Sequence, residues 1–138
     1  ASRHSTAPML RDEYHTLFIG LGRGELVPYG SWYQTGFLME KPLSLLRSDL
    51  ARLGFERATD VHEPEDHIAA LCEVMSLLIQ EDVAIESQQQ FFNTHLGNWA
   101  TAFFRDLATA HGAVFYKSVA RLGMAFVQVE MRYLSLPD

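Results

Sequence analysis

The chain has little cysteine, no long apolar run and no recognisable leader. Its single cysteine, Cys72, excludes an internal disulfide and favours a reducing compartment. No apolar stretch approaches the ~20 residues that span a bilayer. The first seven residues contain neither an initiator methionine nor the apolar segment of a secretory signal, so we expect a processed or truncated start. Together these absences predict a soluble, cytoplasmic protein.

Basic residues are also scarce. Lys and Arg number 11 against 17 Asp and Glu, which gives a formal net charge of −6. A nucleic-acid binder depends on a basic face that neutralises phosphates, so the balance argues against that class and favours a basic or neutral partner. Hydrophobic residues make up 48% of the 138 positions, enough for a core within a single domain.

Strand-like alternation of useful length is absent, whereas apolar residues recur at helical spacing. The fold class predicted is therefore all-α, one bundle of about six helices over residues 1–138 with residues 1–8 disordered. A glycine-rich stretch over residues 20–33 is expected to be a loop. The predicted helices cover about residues 9–19, 43–53, 64–80, 85–96, 99–111 and 114–134.

Two of these helices carry long apolar stripes that we expect to be buried. Cys72 falls on the first stripe, which indicates a small core side chain more than a nucleophile. No base, nucleophile and oxyanion-binding group assemble elsewhere, so catalysis is not predicted. The stripes consist of Ile68, Leu71, Cys72, Met75, Leu78 and Ile79 in the central helix, and Phe115, Val119, Leu122, Phe126, Val129 and Tyr133 in the last.

The segment from His62 to His67, with sequence His-Glu-Pro-Glu-Asp-His, concentrates two histidines and three carboxylates. A zinc-protease site needs histidines four apart on one helix face. Here they are five apart, which points them roughly 140° from each other. Helix capping is the simpler interpretation, with Glu63 as N-cap and Pro64 in the first turn. Capping accounts for the carboxylates but leaves His67 unexplained, so a docking surface stays open.

Glycines at positions 20, 22 and 24 suggest a phosphate-binding loop. Their spacing does not match G-x-G-x-x-G, no strand precedes them, and no Lys-Ser/Thr pair follows. A connecting loop that carries Tyr29 and Trp32 toward a core or groove fits these residues better.

Several segments together resemble the TorD/DmsD family, within the NarJ-like superfamily of cytoplasmic, all-helical redox-enzyme maturation chaperones. The specific part is the E-P-x-D-H motif, present as Glu63 to His67. It is supported by Phe91 to Trp99, which reads F-F-x-x-H-L-x-x-W, and by Leu17-Phe18 ahead of the aromatic loop. Family members carry further helices before this Leu-Phe segment, so the chain looks like the C-terminal portion of the family fold.

The resemblance implies binding without catalysis, to the twin-arginine signal peptide and the apo form of a molybdenum-cofactor oxidoreductase. No metal and no cofactor are predicted, apart from weak GTP binding. The alternative function is a helical protein that binds or hydrolyses a nucleotide such as GTP through the glycine-rich loop. A homodimer, domain-swapped or not, is also left open. The peptide-binding residues, taken from the motif positions and from the carboxylate and aromatic chemistry that arginine recognises, are Tyr14, Leu17, Phe18, Pro28, Tyr29, Trp32, Glu63, Asp66 and His67.

Overall fold

The computed structural model describes residues 6–20, 24–56 and 63–135. Within these ranges the chain forms seven α-helices and no strand, which confirms the all-α prediction with one helix more than expected. The helices are α1 (Ala7–Phe18), α2 (Gly30–Thr35), α3 (Lys41–Arg52), α4 (Ile68–Gln80), α5 (Ile85–His95), α6 (Ala100–Thr109) and α7 (Phe115–Ser135). None of the helices in this part of the chain is long and apolar enough to cross a membrane.

The first helix begins earlier than its apolar spacing predicts. Thr6 is the N-cap, and its hydroxyl accepts a hydrogen bond from the backbone N–H of Met9 at 3.4 Å. Pro8 lies in the first turn, where a residue without an N–H leaves no bond unmade. The expected disorder over residues 1–8 is therefore wrong for residues 6–8; residues 1–5 lie outside the described residues.

The chain divides into two compact units. The first comprises residues 1–28 and 100–133, and contains α1, α6 and nearly all of α7. The second comprises residues 29–99 and 134–138, and contains α2 to α5. The single-domain organisation expected from chain length stays a prediction, and each unit is described by itself.

In the first unit a glutamate on α1 holds the start of α7. The carboxylate of Glu13 accepts hydrogen bonds from the backbone N–H groups of Val114, Phe115 and Tyr116 at 2.9, 3.0 and 2.7 Å. The first N–H groups of a helix have no partner within it, and a negative charge is favourable at that end of the helix dipole. One side chain therefore satisfies three donors and fixes α1 against the N-terminus of α7.

The face that α7 buries differs from the predicted stripe. Leu122, Val129 and Tyr133 are 73%, 62% and 61% exposed, so their predicted burial is wrong. The buried side chains of α7, Ala120, Val127 and Leu134, are spaced seven residues apart. Gly123 lies against the ring of Phe104 on α6, and this small residue lets the two helices approach closely. The small residues of α7 near Phe104 therefore determine which face of this helix is buried. Phe115, Val119 and Phe126 are half-buried.

In the second unit α4 packs against α5, α2 against α3, and α3 against α5. Four of the stripe residues on α4 are buried as predicted, whereas Ile79 is 46% exposed and Cys72 is half-buried. Burial raises the pKa of the Cys72 thiol to about 11, which keeps it protonated and unreactive. The core interpretation of this cysteine fits that environment. The buried apolar side chains of this unit include Leu43, Leu46, Ile68, Leu71, Met75, Leu78, Phe91, Phe92, Leu96 and Trp99.

Candidate functional site

The segment from Glu63 to His67 is a turn, and the predicted helix start at Pro64 is wrong. The turn closes with the backbone N–H of His67 donating to the carbonyl of Pro64 at 3.4 Å. Helix α4 begins only at Ile68, with His67 as its extended N-cap residue. The Nδ1 atom of His67 accepts a hydrogen bond from the N–H of Ala69 at 3.0 Å. His67 thus performs the capping that the sequence analysis assigned to Glu63, and His62 lies outside the described residues.

The turn does not continue as helix because its backbone pairs with another segment. Tyr29 and His67 form an isolated antiparallel β-bridge, and the carbonyl of Asp66 accepts from the N–H of Gly30 at 2.9 Å. The Oδ2 atom of Asp66 accepts from the N–H of Ser31 at 2.7 Å. These two bonds cap the first turn of α2. The expected loop over residues 20–33 is therefore wrong for residues 30–33, which are helical.

Asp66 is 3% exposed and Ser31 is 0% exposed, so this contact is inside the protein. The second carboxylate oxygen, Oδ1, and the hydroxyl of Ser31 are buried and have no hydrogen-bond partner among the described residues. Buried polar atoms are nearly always paired, and an unpaired carboxylate oxygen attracts a donor. Oδ1 of Asp66 is therefore an acceptor that receives no hydrogen bond from the described part of the chain.

The aromatic side chains beside this turn contact each other. The rings of Tyr29 and His67 meet edge-to-face, with centroids 5.0 Å apart, and the Tyr29 hydroxyl donates to Oε1 of Glu63 at 3.5 Å. Burial lowers the pKa of His67, although the charges of Glu63 and Asp66 act in the opposite direction. Because Nδ1 accepts a hydrogen bond at the positive end of α4, the geometry also favours the neutral ring with its proton on Nε2.

The carboxylates in and near the turn, Asp60, Glu63, Glu65 and Asp66, differ in their surroundings. Glu65 accepts three hydrogen bonds from Arg47, from Nε to Oε1 and Oε2 at 3.2 and 3.0 Å and from Nη2 to Oε1 at 3.1 Å. Asp60 lies outside the described residues. Glu63 is the exposed carboxylate of the turn, and Asp66 is its buried one.

The nine predicted peptide-binding residues fall into two groups. Tyr29, Trp32, Glu63, Asp66 and His67 belong to the second unit, and Tyr14, Leu17, Phe18 and Pro28 to the first. Trp32 is half-buried on α2.

Within the first unit, Tyr14 is 42% exposed and its ring lies 5.1 Å from that of Phe18, while Leu17 is 0% exposed and Pro28 is buried. A ring that the sequence analysis missed, Tyr116, contacts both aromatics at 6.4 and 5.4 Å. No local pattern signals it, because the contact joins α1 to α7.

Position 24 in the glycine-rich loop has no room for a side chain. A Cβ atom there would lie 2.5 Å from the carbonyl oxygen of Leu17 and from the carbonyl carbon of Phe18. The loop runs along the end of α1, with the N–H of Leu26 donating to Leu17 at 2.7 Å. Gly24 is thus required for close backbone approach.

Residues 21–23, including Gly22 and Arg23, lie outside the described residues, so the nucleotide hypothesis stays an untested prediction. Among the described residues no His, Cys, Asp and Glu side chains group in a way that could hold a metal ion.

Two residues of the F-F-x-x-H-L-x-x-W segment, His95 and Trp99, contact α3 and α2. His95, 5% exposed, has Nε2 at 2.6 Å from Oδ2 of Asp49 on α3. Trp99 donates from its indole N–H to the carbonyl of His95 at 2.8 Å and stacks on Tyr33 of α2, with centroids 5.4 Å apart. Gly30 permits this packing, because a Cβ there would lie 3.0 Å from Nε1 of Trp99. These core contacts hold α2 in place, and α2 in turn is hydrogen-bonded to the turn at Asp66.

Comparison with known proteins identifies the family. The sequence profile described as nitrate reductase delta subunit matches residues 1–105. The chain belongs to this family. A protein from Vibrio cholerae O1 named chaperone protein TorD is 29% identical over 136 residues, 91% of this chain and 62% of the relative. Proteins of the same name from Photobacterium profundum and Actinobacillus pleuropneumoniae are 26% and 24% identical, over 91% and 88% of this chain and 63% and 62% of their own lengths.

These relatives confirm the resemblance to TorD-type proteins. The chain spans a little under two thirds of the length of the curated relatives it matches. The homodimer and the roles of the nine site residues remain predictions that neither the comparisons nor the fold test.

Proposed function

We propose that this chain is a chaperone for the maturation of a redox enzyme. In this proposal it binds the twin-arginine signal peptide and the apo form of a molybdenum-cofactor oxidoreductase before export, and catalyses no reaction. Relatives named as TorD chaperones support the general role. The observation that carries the specific one is the turn from Glu63 to His67, in which an exposed carboxylate and an incompletely paired buried carboxylate lie beside aromatic rings.

The turn offers the groups that an arginine side chain binds best. A guanidinium forms charge-assisted hydrogen bonds with carboxylates and stacks on aromatic rings. Glu63 supplies the exposed carboxylate, and Tyr29 and His67 supply ring surface at its side. Stacking would contribute roughly 0.5–2 kcal/mol per contact. Asp66 holds this arrangement through its cap on α2, and its buried charge adds to the negative potential of the turn.

The remaining residues of the proposed site divide by exposure. Within the first unit, Tyr14 and Phe18 present ring surface on α1, together with Tyr116. Leu17 and Pro28 are buried, so their role in this proposal is to position the segments that carry the exposed groups. Trp32 is half-buried on α2, next to the capped turn.

The proposal is tested by calorimetric titration of the purified chain with a synthetic peptide that contains two consecutive arginines followed by an apolar segment. Glu63→Gln and Asp66→Asn remove negative charge while keeping shape, and each should weaken binding about five-fold or more. A peptide with both arginines replaced by glutamine should bind weakly to all forms. Binding should also weaken with added salt, because exposed charges are screened.

Equal affinity for the arginine and glutamine peptides would contradict recognition by the turn. No binding of either peptide would contradict the proposed function itself. Glu86→Gln, which removes an exposed carboxylate from the first turn of α5, is the matched control and should leave the affinity within two-fold.

A further inference from the structure

The second unit exposes three consecutive apolar side chains in the connection between α2 and α3. Phe37, Leu38 and Met39 are 66%, 46% and 63% exposed. The connection is ordered by Thr35, whose hydroxyl accepts from the N–H of Phe37 and lies 3.1 Å from its carbonyl oxygen. Exposed apolar clusters on a folded unit mark surfaces that contact another molecule. We call residues 37–39 the apolar loop.

The apolar loop continues into an open groove along α3. The groove has a volume of about 580 Å³, within the range of ligand sites. It is lined by Met39, Glu40, Lys41, Leu43, Ser44, Arg47, Ser48 and Ala51. Met39 belongs to both surfaces and has φ of 56°, a left-handed conformation that is uncommon for a residue other than glycine.

The groove is connected to the turn of the proposed site. Arg47 lines the groove, and its guanidinium donates hydrogen bonds to the carboxylate of Glu65 in the turn. This pairing neutralises the guanidinium, so the groove does not present an uncompensated arginine to a basic ligand. One side chain therefore joins the groove to the turn within the same unit.

The charge of the chain is concentrated in this unit. Residues 29–99 contain four Lys and Arg against eleven Asp and Glu, a formal charge of −7, whereas the whole chain carries −6. The other residues therefore sum to +1. A surface that combines apolar contact with a strongly negative surrounding complements a peptide that combines an apolar segment with basic residues.

We infer that the apolar segment of the bound peptide lies on the apolar loop, at the Met39 end of the α3 groove, while its basic residues face the turn at Glu63. This inference rests on the proposed function and assigns its apolar contacts to residues outside the predicted site. The exposed side chains of α7, Leu122 and Val129, are apolar as well, but they belong to the unit without net negative charge. Leu122 and Val129 therefore serve as a control, because they are exposed apolar side chains outside the proposed contact surface.

The test compares the double variant Phe37→Ser, Met39→Asn with the control Leu122→Ser, Val129→Ser. Asparagine tolerates the left-handed conformation at position 39, and all four positions are exposed, so circular dichroism spectra should stay unchanged. Two peptides are titrated by fluorescence anisotropy. Both contain two arginines; in one an apolar segment follows, and in the other a serine- and glycine-rich segment of equal length.

The loop variant should lose about ten-fold in affinity for the apolar peptide, because it removes the contact of two large apolar side chains. It should change the affinity for the polar peptide less than two-fold, and the α7 control should change neither. Equal loss for both peptides, or loss in the α7 control instead, would overturn the inference. If wild type binds the apolar peptide and the loop variant binds it equally well, the inference alone fails. If wild type binds neither peptide, the proposed function fails with it.

Discussion

The Oδ2 atom of Asp66 lies 2.7 Å from the backbone nitrogen of Ser31, so a carboxylate in one turn caps a helix that begins 36 residues earlier in the chain. The same residue accepts from Gly30 through its carbonyl. The motif residue with the clearest functional expectation therefore also has a structural role. Any loss of binding in an Asp66 variant must be separated from loss of α2.

The first prediction concerns this cap. Asp66→Ala leaves the Ser31 N–H buried without an acceptor and should lower the free energy of unfolding by about 1–3 kcal/mol. Asp66→Asn keeps an acceptor oxygen and should cost less. Urea denaturation followed by circular dichroism measures both. Glu63→Ala, in an exposed position, should stay within ~0.5 kcal/mol of wild type. If Asp66→Ala is no more destabilising than this control, the cap is not important to stability.

The second prediction is a pH dependence through His67. Burial lowers its pKa in the folded state below the ordinary value, so the unfolded chain binds the proton more readily. As the pH falls below about 6.5, the ordinary value, this site should therefore destabilise the fold until the folded pKa is passed. Serine keeps an N-cap acceptor for Ala69 but does not titrate.

Urea midpoints at pH 7.5 and 5.5 for wild type and His67→Ser provide the measurement. Wild type should lose more stability between the two pH values than the serine variant does. The two proteins differ only at position 67, so the difference in pH dependence isolates His67. Parallel losses would contradict a neutral, capping imidazole.

The third prediction concerns the pair between His95 and Asp49. Burial raises the pKa of Asp49, but the hydrogen bond and charge of His95, with Arg52, outweigh it and hold that pKa below its usual value. A carboxylate with a lowered folded pKa stabilises the protein above its unfolded pKa of about 3.9. That contribution is lost as the pH falls through the folded pKa.

Asp49→Asn should therefore be less stable than wild type by about 1–3 kcal/mol at pH 6, the range for a hydrogen bond to a charged group. The gap should narrow as the pH is lowered through 4 toward 3. Thermal or urea unfolding across this range measures it, with Glu73→Gln, exposed on α4, as the control. A gap that stays constant with pH would show that the charge of Asp49 is not what stabilises the pair.

The fourth prediction tests the reason for a glycine at position 24. An added Cβ meets the backbone of Leu17 and Phe18 at 2.5 Å, and backbone atoms cannot rotate away as a side chain end can. Gly24→Ala should thus lower stability by roughly 1–3 kcal/mol. Gly54→Asn is the control, because no atom lies within 4 Å of a Cβ at position 54 and only the backbone φ of 89° opposes a side chain there. Equal stability of the two variants would contradict close approach as the reason.

Local sequence pattern is sufficient to predict the helical class and most of the core. The predicted helices near residues 43–53 and 85–96 correspond to α3 and α5, since their caps and apolar spacing are local. Gly54 follows α3 in a left-handed conformation, as the C-terminal signal predicts. The buried residues Leu71, Met75 and Leu78 of α4 follow their spacing too. Where a helix is specified by neighbours in the chain, periodicity is sufficient.

Elements that depend on distant partners could not be predicted from the sequence. Helix α2 lies in a segment that the sequence marks as a loop, because its cap is the carboxylate of Asp66. Helix α4 starts at Ile68 instead of Pro64 because the turn before it pairs with Tyr29 and Gly30. The buried face of α7 follows its packing against Phe104, where Gly123 allows close approach, and not its longest apolar stripe. In each case the deciding contact joins residues far apart in sequence, which local pattern cannot reveal.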